Sequence, residues 1–502
     1  MVAKKSSAKK SVKTAASKRP AAKKTSTKKT VAKKTVAKKT PAKKTTPKKA
    51  APVKITPRKA AKKTPAKKPS APKPSATQPP TTPVPPTIDP NPTGNTPATG
   101  FVFANPKVTA DDYGNFSKAD VFADSGATPS LQLQPVPAPW KTPSELSLSQ
   151  VLGTAAVAQI TAAKSITFHC VGDTGGIHDP AKQFAVADAM ANDLANKTYA
   201  NGLPAFFFHL GDVVYYLGQE LYYYEQYYDP YRDYDAPIFA IPGNHDGMIS
   251  PSIKQTTLQG FVENFCTQAP SKNPEAQGLA RTTMIQPGVY FTLHAPFVDI
   301  IGLYSNIAEG GTEGVISGPI AGPAQLAFLQ QQLAAIAAAR KSGTRNALLL
   351  AVHHPPFTGS QDHAPSPTML KQIDAACAAA GIYPDMVLSG HAHLYERYTR
   401  TINNSQIPFI VAGMGGYWNL SGMKKGTNNQ PPATPFVGTD ASGNKLVLEK
   451  FNNTTFGYLT LNISADTIGL TFYGVTPGVG GQAASVTVAD QFTLDLNKHT
   501  IT

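Results

Sequence analysis

Five short stretches hold the residues best suited to chemistry: GDTGG (172–176), GDVVY (211–215), GNHD (243–246), HHPP (353–356) and GHAH (390–393). They supply Asp173, Asp212, Tyr215, Asn244, His245, His353, His354, His391 and His393. Carboxylate, phenol, amide and imidazole form a mixed oxygen and nitrogen donor set. Such a set suits iron, manganese, zinc or cobalt better than magnesium or calcium. No cysteine is among them, which argues against a closed structural zinc site. The donors outnumber what one four- to six-coordinate ion can take, but a bridging carboxylate would let two ions share them. Two ions about 3.5–4 Å apart can activate a water and clamp a transferring phosphoryl group.

These residues must be brought together by the elements before them. SITFHCV precedes GDTGG, PAFFFHL precedes GDVVY, APIFAI precedes PGNHD, NALLLAV precedes HHPP and DMVL precedes SGHAH. Apolar runs of four to seven residues bounded by turn signals predict buried strands. Helical patterns fall between them at 181–196, 323–341 and 366–380, the second opening on Pro323, which suits a first helical turn. GVYFTLHAPFVDIIGLYS (288–305) reads as a hairpin. Strand–helix alternation implies an α/β body with parallel pairing, and in such sheets ligands gather at the carboxyl ends of strands. Beyond 405, PFIVAGMGG, FGYLTLNIS, TIGLTFYGV and DQFTLDL alternate as antiparallel strands that complete or cap the body. In 101–160, FVFANPKV reads as a strand and ELSLSQVLGTAAVAQI as a helix.

Taken alone, a GD after a strand is an ordinary turn, and HHPP says little. All five stretches in order, each after an apolar run, resemble the signature of the calcineurin-like metallophosphoesterases, and more narrowly of the purple acid phosphatases. Tyr215 stands three residues after Asp212, where that subgroup has an iron-binding tyrosine. The first stretch is GDTG where most of the superfamily has DxH, and GHAHLYERY (390–398) also looks like the subgroup. The resemblance covers roughly 165–420. It implies a metallophosphoesterase-type β-sandwich, two mixed sheets flanked by helices, and two metal ions: Fe(III), with Fe(II), Zn or Mn. The Fe(III) site would take Asp173, Tyr215 and His393. The second would take Asn244, a histidine of HHPP and His391. Asp212 would bridge, and His245 would sit beside the leaving group.

The family pattern also places a serine six residues and a substrate-facing histidine nine residues after the HHPP ligand. Counting from His354 reaches Ser360 and His363. His354 is therefore the expected ligand, His363 an acid or phosphate contact, and His353 either a packing residue or a neighbour that supports the ligands. His169 and His209 lie within apolar strands and read as core histidines. His178 falls near the first stretch and could approach substrate. The tyrosine-rich run 215–234 reads as aromatic packing, Tyr215 excepted.

Composition separates the rest of the chain. Residues 1–80 hold 27 of the 48 basic residues and no acidic one, so 81–502 carry 21 basic against 31 acidic residues, a net of −10. The overall +17 is thus a property of the tail. Repeated AKKT, with few large apolar side chains, cannot repay the entropy of ordering. The tail resembles histone H1-like tails in composition only. It is expected to bind polyanions such as nucleic acid or polyphosphate in a salt-sensitive way. The division expected is a disordered basic tail (1–80), a Pro-rich linker (81–100), an extension packing on the body (101–160) and the catalytic domain (161–495). Three cysteines, no visible signal peptide and no apolar run of membrane-spanning length point to a cytoplasmic, nucleoid-associated protein. The function expected is hydrolysis of phosphate monoesters by attack of a metal-bound hydroxide. The alternatives are a phosphodiesterase acting on nucleotides or nucleic acid, and a nucleic-acid-associated protein whose catalytic body has a minor role.

Overall fold

A computed structural model describes residues 136–177, 179–248, 255–305, 313–478 and 484–502. The tail 1–80, the linker 81–100, residues 101–135 and His178 lie outside the described residues.

The fold is mixed α/β, with two mixed sheets flanked by helices. One sheet runs, edge to edge, β16 (Thr500–Ile501), β15 (Ser485–Asp495), β14 (Thr467–Thr476), β13 (Phe456–Ser464), β2 (Ser165–Val171), β3 (Pro204–His209) and β4 (Ile238–Ala240). The other runs β1 (Glu145–Ser147), β5 (Phe291–Ala295), β6 (Val298–Leu303), β7 (Ala347–Val352), β8 (Met386–Ser389), β10 (Ser405–Ala412), β9 (Tyr395–Ile402), β12 (Lys445–Asn452) and β11 (Phe436–Thr439).

The strands that precede the chemical stretches are the parallel ones. β2 pairs β3 and β3 pairs β4; β6, β7, β8 and β10 form a second parallel run. Their side chains are buried on both faces, which is why they read as apolar runs rather than alternating ones. Helices α1 (Ala181–Asn192), α2 (Ala324–Lys341) and α3 (Pro367–Ala380) make the crossovers that parallel pairing requires. The late strands β13, β14 and β15 are antiparallel neighbours that extend the first sheet.

One stretch differs from expectation. ELSLSQVLGTAAVAQI is not one helix: Glu145–Ser147 pairs with β5 as the edge of the second sheet before the helical residues begin. The Ser144 hydroxyl donates to the Tyr290 carbonyl beside that pairing, at 2.6 Å. The tyrosine-rich run forms a short 3₁₀ turn and a π-helical turn, Tyr224–Tyr228. Its members Tyr222, Tyr223, Tyr227, Tyr228, Tyr231 and Tyr234 are buried. His169 and His209 are core residues. His169 contacts Tyr234, and His209 uses both ring nitrogens, on Thr174 and the Gly211 amide.

Candidate active site

The ends of the parallel strands from both sheets meet at one place. The Gly172 amide beyond β2 donates to the Ala412 carbonyl at the end of β10, at 2.9 Å. His353, the first residue beyond β7, donates through Nδ1 to the Leu210 carbonyl beyond β3, at 2.8 Å. The turns that follow these strands are tight. Asp173, Asp212 and His391 all adopt left-handed backbone (φ 58°, 53° and 67°). Non-glycine residues rarely do so, and such strain concentrates at functional sites. A Cβ at Gly243 would lie 2.1 Å from Asp212 Oδ1, and one at Gly390 would lie 2.4 Å from Asp173 Oδ2. Glycine at these two positions is what lets backbone close onto the carboxylates.

Two groups of side chains result. Around Asp173, Oδ1 accepts from the Tyr215 hydroxyl at 3.0 Å and stands 3.5 Å from His393 Nε2; the Tyr215 hydroxyl is 3.3 Å from that same nitrogen. Asp173 Oδ2 accepts from the His391 amide at 2.8 Å. Around Asp212, Oδ1 accepts from the His245 amide at 2.9 Å, and Oδ2 lies 3.2 Å from His353 Nε2. Asp212, His353 and His391 can each offer a ligand atom within a common 4.8 Å.

It is His353, not the expected His354, that faces the carboxylates. The Leu210 carbonyl takes its Nδ1, so Nε2 turns to Asp212 and stands 4.0 Å from Asp173. His354 is held differently: its Nδ1 pairs with the Ser305 hydroxyl at 2.7 Å, and its ring lies against His391 at 4.1 Å. Counting forward to Ser360 and His363 favours His354, whereas the ring that faces the carboxylates belongs to the first residue beyond β7.

The donor set fits metal. Asp173 and Asp212 are both inaccessible to solvent, and two buried carboxylates call for a cation. Asn244 Oδ1, His353 Nε2 and His354 Nε2 are buried without a protein hydrogen bond. Burial opposes the charge on His353, but Asp212 and Asp173 outweigh it and push its pKa up to about 9. Burial and four neighbouring histidines push His391 well down. Burial also lowers His245, whose Nδ1 donates to the Tyr216 carbonyl at 2.7 Å. His363 sits over the same group, with ring centroids 4.6 Å from His391 and 5.0 Å from His393.

Several supporting residues carried no sequence signal strong enough to single them out. Asp246 accepts from the amides of Gly243, Val213 and Val214 and so locks the GNHD turn to the GDVVY turn. The Gln226 side chain brackets Tyr215, accepting from its amide and donating to its carbonyl at 2.8 and 2.7 Å. Glu396, in GHAHLYER, accepts from the Gly359 amide, the Thr358 hydroxyl and the Tyr398 hydroxyl. Asp246 does lie within a stretch already quoted. Gln226 is hidden because an amide in a tyrosine-rich run has no pattern.

The family comparison agrees with this geometry. Residues 166–395 match the family described as calcineurin-like phosphoesterase. Among solved structures, the chain is similar to the protein described as GAP50, the anchor in the inner membrane complex of Plasmodium. That likeness has 14% identity, covers 64% of this chain and 88% of the other, and has a TM-score of 0.41. It is also similar to the purple acid phosphatase PPD1 from yellow lupin (Lupinus luteus) seeds, with 14% identity, 66% and 54% coverage and a TM-score of 0.43. The chain thus spans about half of that protein's length. PhoD is similar at 13% identity, with 73% of each chain covered and a TM-score of 0.39. No curated protein matches the chain. With GDTG, GDVVY, GNHD, HHPP and GHAH all inside the matched span, residues 166–395 belong to the calcineurin-like phosphoesterases.

Proposed function

We propose that the chain is a phosphate monoesterase of the two-metal kind, similar to purple acid phosphatases, and that residues 1–80 tether it to a polyanion. The observation that carries this reading is the convergence of Asp173, Asp212, Tyr215, Asn244, His353, His391 and His393 from both sheets onto one buried spot. Asp173, Tyr215 and His393 would hold one ion. Asn244, His353 and His391 would hold the other, and Asp212 would stand between. The two cations, when bound, neutralise phosphoryl oxygens and make a water acidic enough to serve as nucleophile.

The chain's own residues do the remainder. The three left-handed turns fix the carboxylates and His391 before substrate arrives, so little reorganisation is needed as charge builds up on the equatorial oxygens. The Leu210 carbonyl fixes the His353 tautomer, and the Tyr216 carbonyl fixes that of His245. His245 and His363 flank the site from different elements, and each, when protonated on the ring nitrogen that faces the substrate, can hand a proton to a departing alkoxide. Such a general acid contributes about 10²–10⁴-fold.

The test is hydrolysis of a chromogenic phosphate monoester and its diester counterpart by the full chain, after dialysis against a chelator and readdition of iron, zinc or manganese. Metal-dependent monoester turnover is expected. Faster diester turnover would move the function to a phosphodiesterase. No turnover of either with any of these metals would remove the reading.

A further inference from the structure

One flank of the site carries two aromatic residues, Tyr417 and Trp418, that the reaction proposed above does not use. Beyond β10 the chain runs GMGGYW (413–418). The Gly415 amide donates to the Gly172 carbonyl at 3.1 Å, and the Tyr417 amide donates to the Asp173 carbonyl at 3.0 Å. A Cβ at Gly415 would lie 2.4 Å from the Gly172 oxygen, and one at Gly416 (φ 144°) would meet the Gln183 backbone at 2.6 Å. The two glycines thus let this turn lie directly on the Asp173 turn, and what the turn presents there is Tyr417 and Trp418.

The rings form a continuous series leading outward. Tyr417 lies 4.1 Å from His393 and 4.4 Å from Tyr215 by ring centroids, 6.5 Å from Tyr216 and 6.2 Å from Trp418. Its hydroxyl interacts with both Tyr216 and Trp418. Trp418 ends the series at 38% exposure, among the few large apolar side chains left open among the described residues. His245 lies on this same flank, 4.5 Å from Tyr215 and 6.1 Å from Tyr216 by ring centroids, with its Nδ1 on the Tyr216 carbonyl. His363 stands in a more polar setting, with the hydroxyls of Ser360 and Ser421 at 3.4 and 3.3 Å from its Nδ1. A leaving group that departs past His245 would meet these rings.

We propose that Tyr417 and Trp418, backed by Tyr216, form a stacking wall for a planar aromatic leaving group, so that aryl and nucleoside phosphates are preferred over alkyl phosphates. The inference rests on the phosphoesterase reading above. A ring attached directly to the ester oxygen would meet Tyr417. A base separated from the ester by a sugar would reach outward to Trp418. Both use the same chemistry, a π-face laid on a π-face.

The experiment compares phenyl phosphate, adenosine 5′-monophosphate and glycerol 2-phosphate on the full metal-loaded chain and its W418A and W418F variants. Loss of one base–aromatic stack typically costs roughly 5- to 150-fold in affinity. W418A is expected to raise KM for the nucleotide by an amount in that range while kcat and the glycerol phosphate constants hold, and W418F should recover most of the loss. A rise for the nucleotide alone identifies the occupant as a base. A rise for phenyl phosphate as well identifies any planar ring. The chain has only two tryptophans, Trp140 and Trp418, so adenosine should quench a fluorescence component that W418F lacks. Equal KM changes for all three esters, or none for either aromatic one, would overturn the wall. If the wild-type chain turned over none of the three, the phosphoesterase reading itself would fall and the wall with it.

Discussion

His353 Nε2 stands 3.2 Å from Asp212 Oδ2 because its other ring nitrogen is held by the Leu210 carbonyl on the opposite sheet. His354, next in sequence, is held by Ser305 on its own sheet. The two neighbours should therefore respond differently to substitution. Removing an outer partner of a metal-binding histidine costs about 10–100-fold in metal affinity or activity. H353A should lose more than that, with bound metal falling in parallel by elemental analysis. H354A should keep its metal. A metal-free H354A beside a loaded H353A would reverse the assignment.

Glu396 is buried, and its carboxylate receives three hydrogen bonds, from the Gly359 amide and the hydroxyls of Thr358 and Tyr398. Thr358 in turn accepts from the Ser360 amide, and the Ser360 hydroxyl reaches His363. The carboxylate thus anchors the loop that carries His363. E396A should lower stability by about 1–3 kcal/mol for each donor it strands, seen as an earlier denaturant midpoint. It should also lower kcat, but not further in an H363A background. Additive losses in the double variant would show that Glu396 acts on something other than His363.

How far the sequence reached follows from these same residues. The parallel strands and their helices were legible because strands buried on both faces leave bare apolar runs. The turns were legible because glycine precedes Asp173, Asp212, Asn244 and His391. The choice between His353 and His354 was not, since it depends on the Leu210 carbonyl just beyond a strand of the other sheet, more than a hundred residues away. β11 and β12 were missed for a different reason: many of their side chains are exposed or half-buried and carry little apolar pattern. Glu145–Ser147 looked helical because three residues are too few for alternation to compete with the helical stretch that follows.

Acid should weaken the body at a point remote from the site. Asp193 accepts from the Tyr458 hydroxyl at 2.8 Å and faces His169 Nε2 at 3.4 Å. Burial pushes its carboxyl up, but His169, Tyr458 and Lys197 outweigh that and bring its pKa down to about 2. Burial lowers His169. A carboxyl depressed in the folded state stabilises fully above its unfolded pKa of about 4, and that contribution is lost as pH falls through about 2. The shift is worth about 2 kcal/mol after allowing for partial exposure of Asp193. D193N should lose that amount at pH 7, and its stability should vary less with pH between about 4 and about 2. Parallel acid unfolding curves for D193N and the wild type would show that the carboxyl is not held down.

The tail and the catalytic body should separate by assay. The 27 basic residues of 1–80 face no acidic residue in that segment, so any polyanion they bind is held by counterion release. The logarithm of the binding constant then falls with the logarithm of salt, with a slope near −0.9 for each duplex phosphate neutralised. A variant lacking 1–80 should lose most of its binding to duplex DNA or polyphosphate, and the steep salt slope with it. Turnover of a small soluble monoester should be unchanged, because all the proposed ligands lie between Asp173 and His393. D212A should do the reverse, abolishing turnover and leaving the salt-dependent binding intact. Should removal of the tail slow the small ester as much as a polymeric one, the tail would have to act on the site itself rather than on where the enzyme is held.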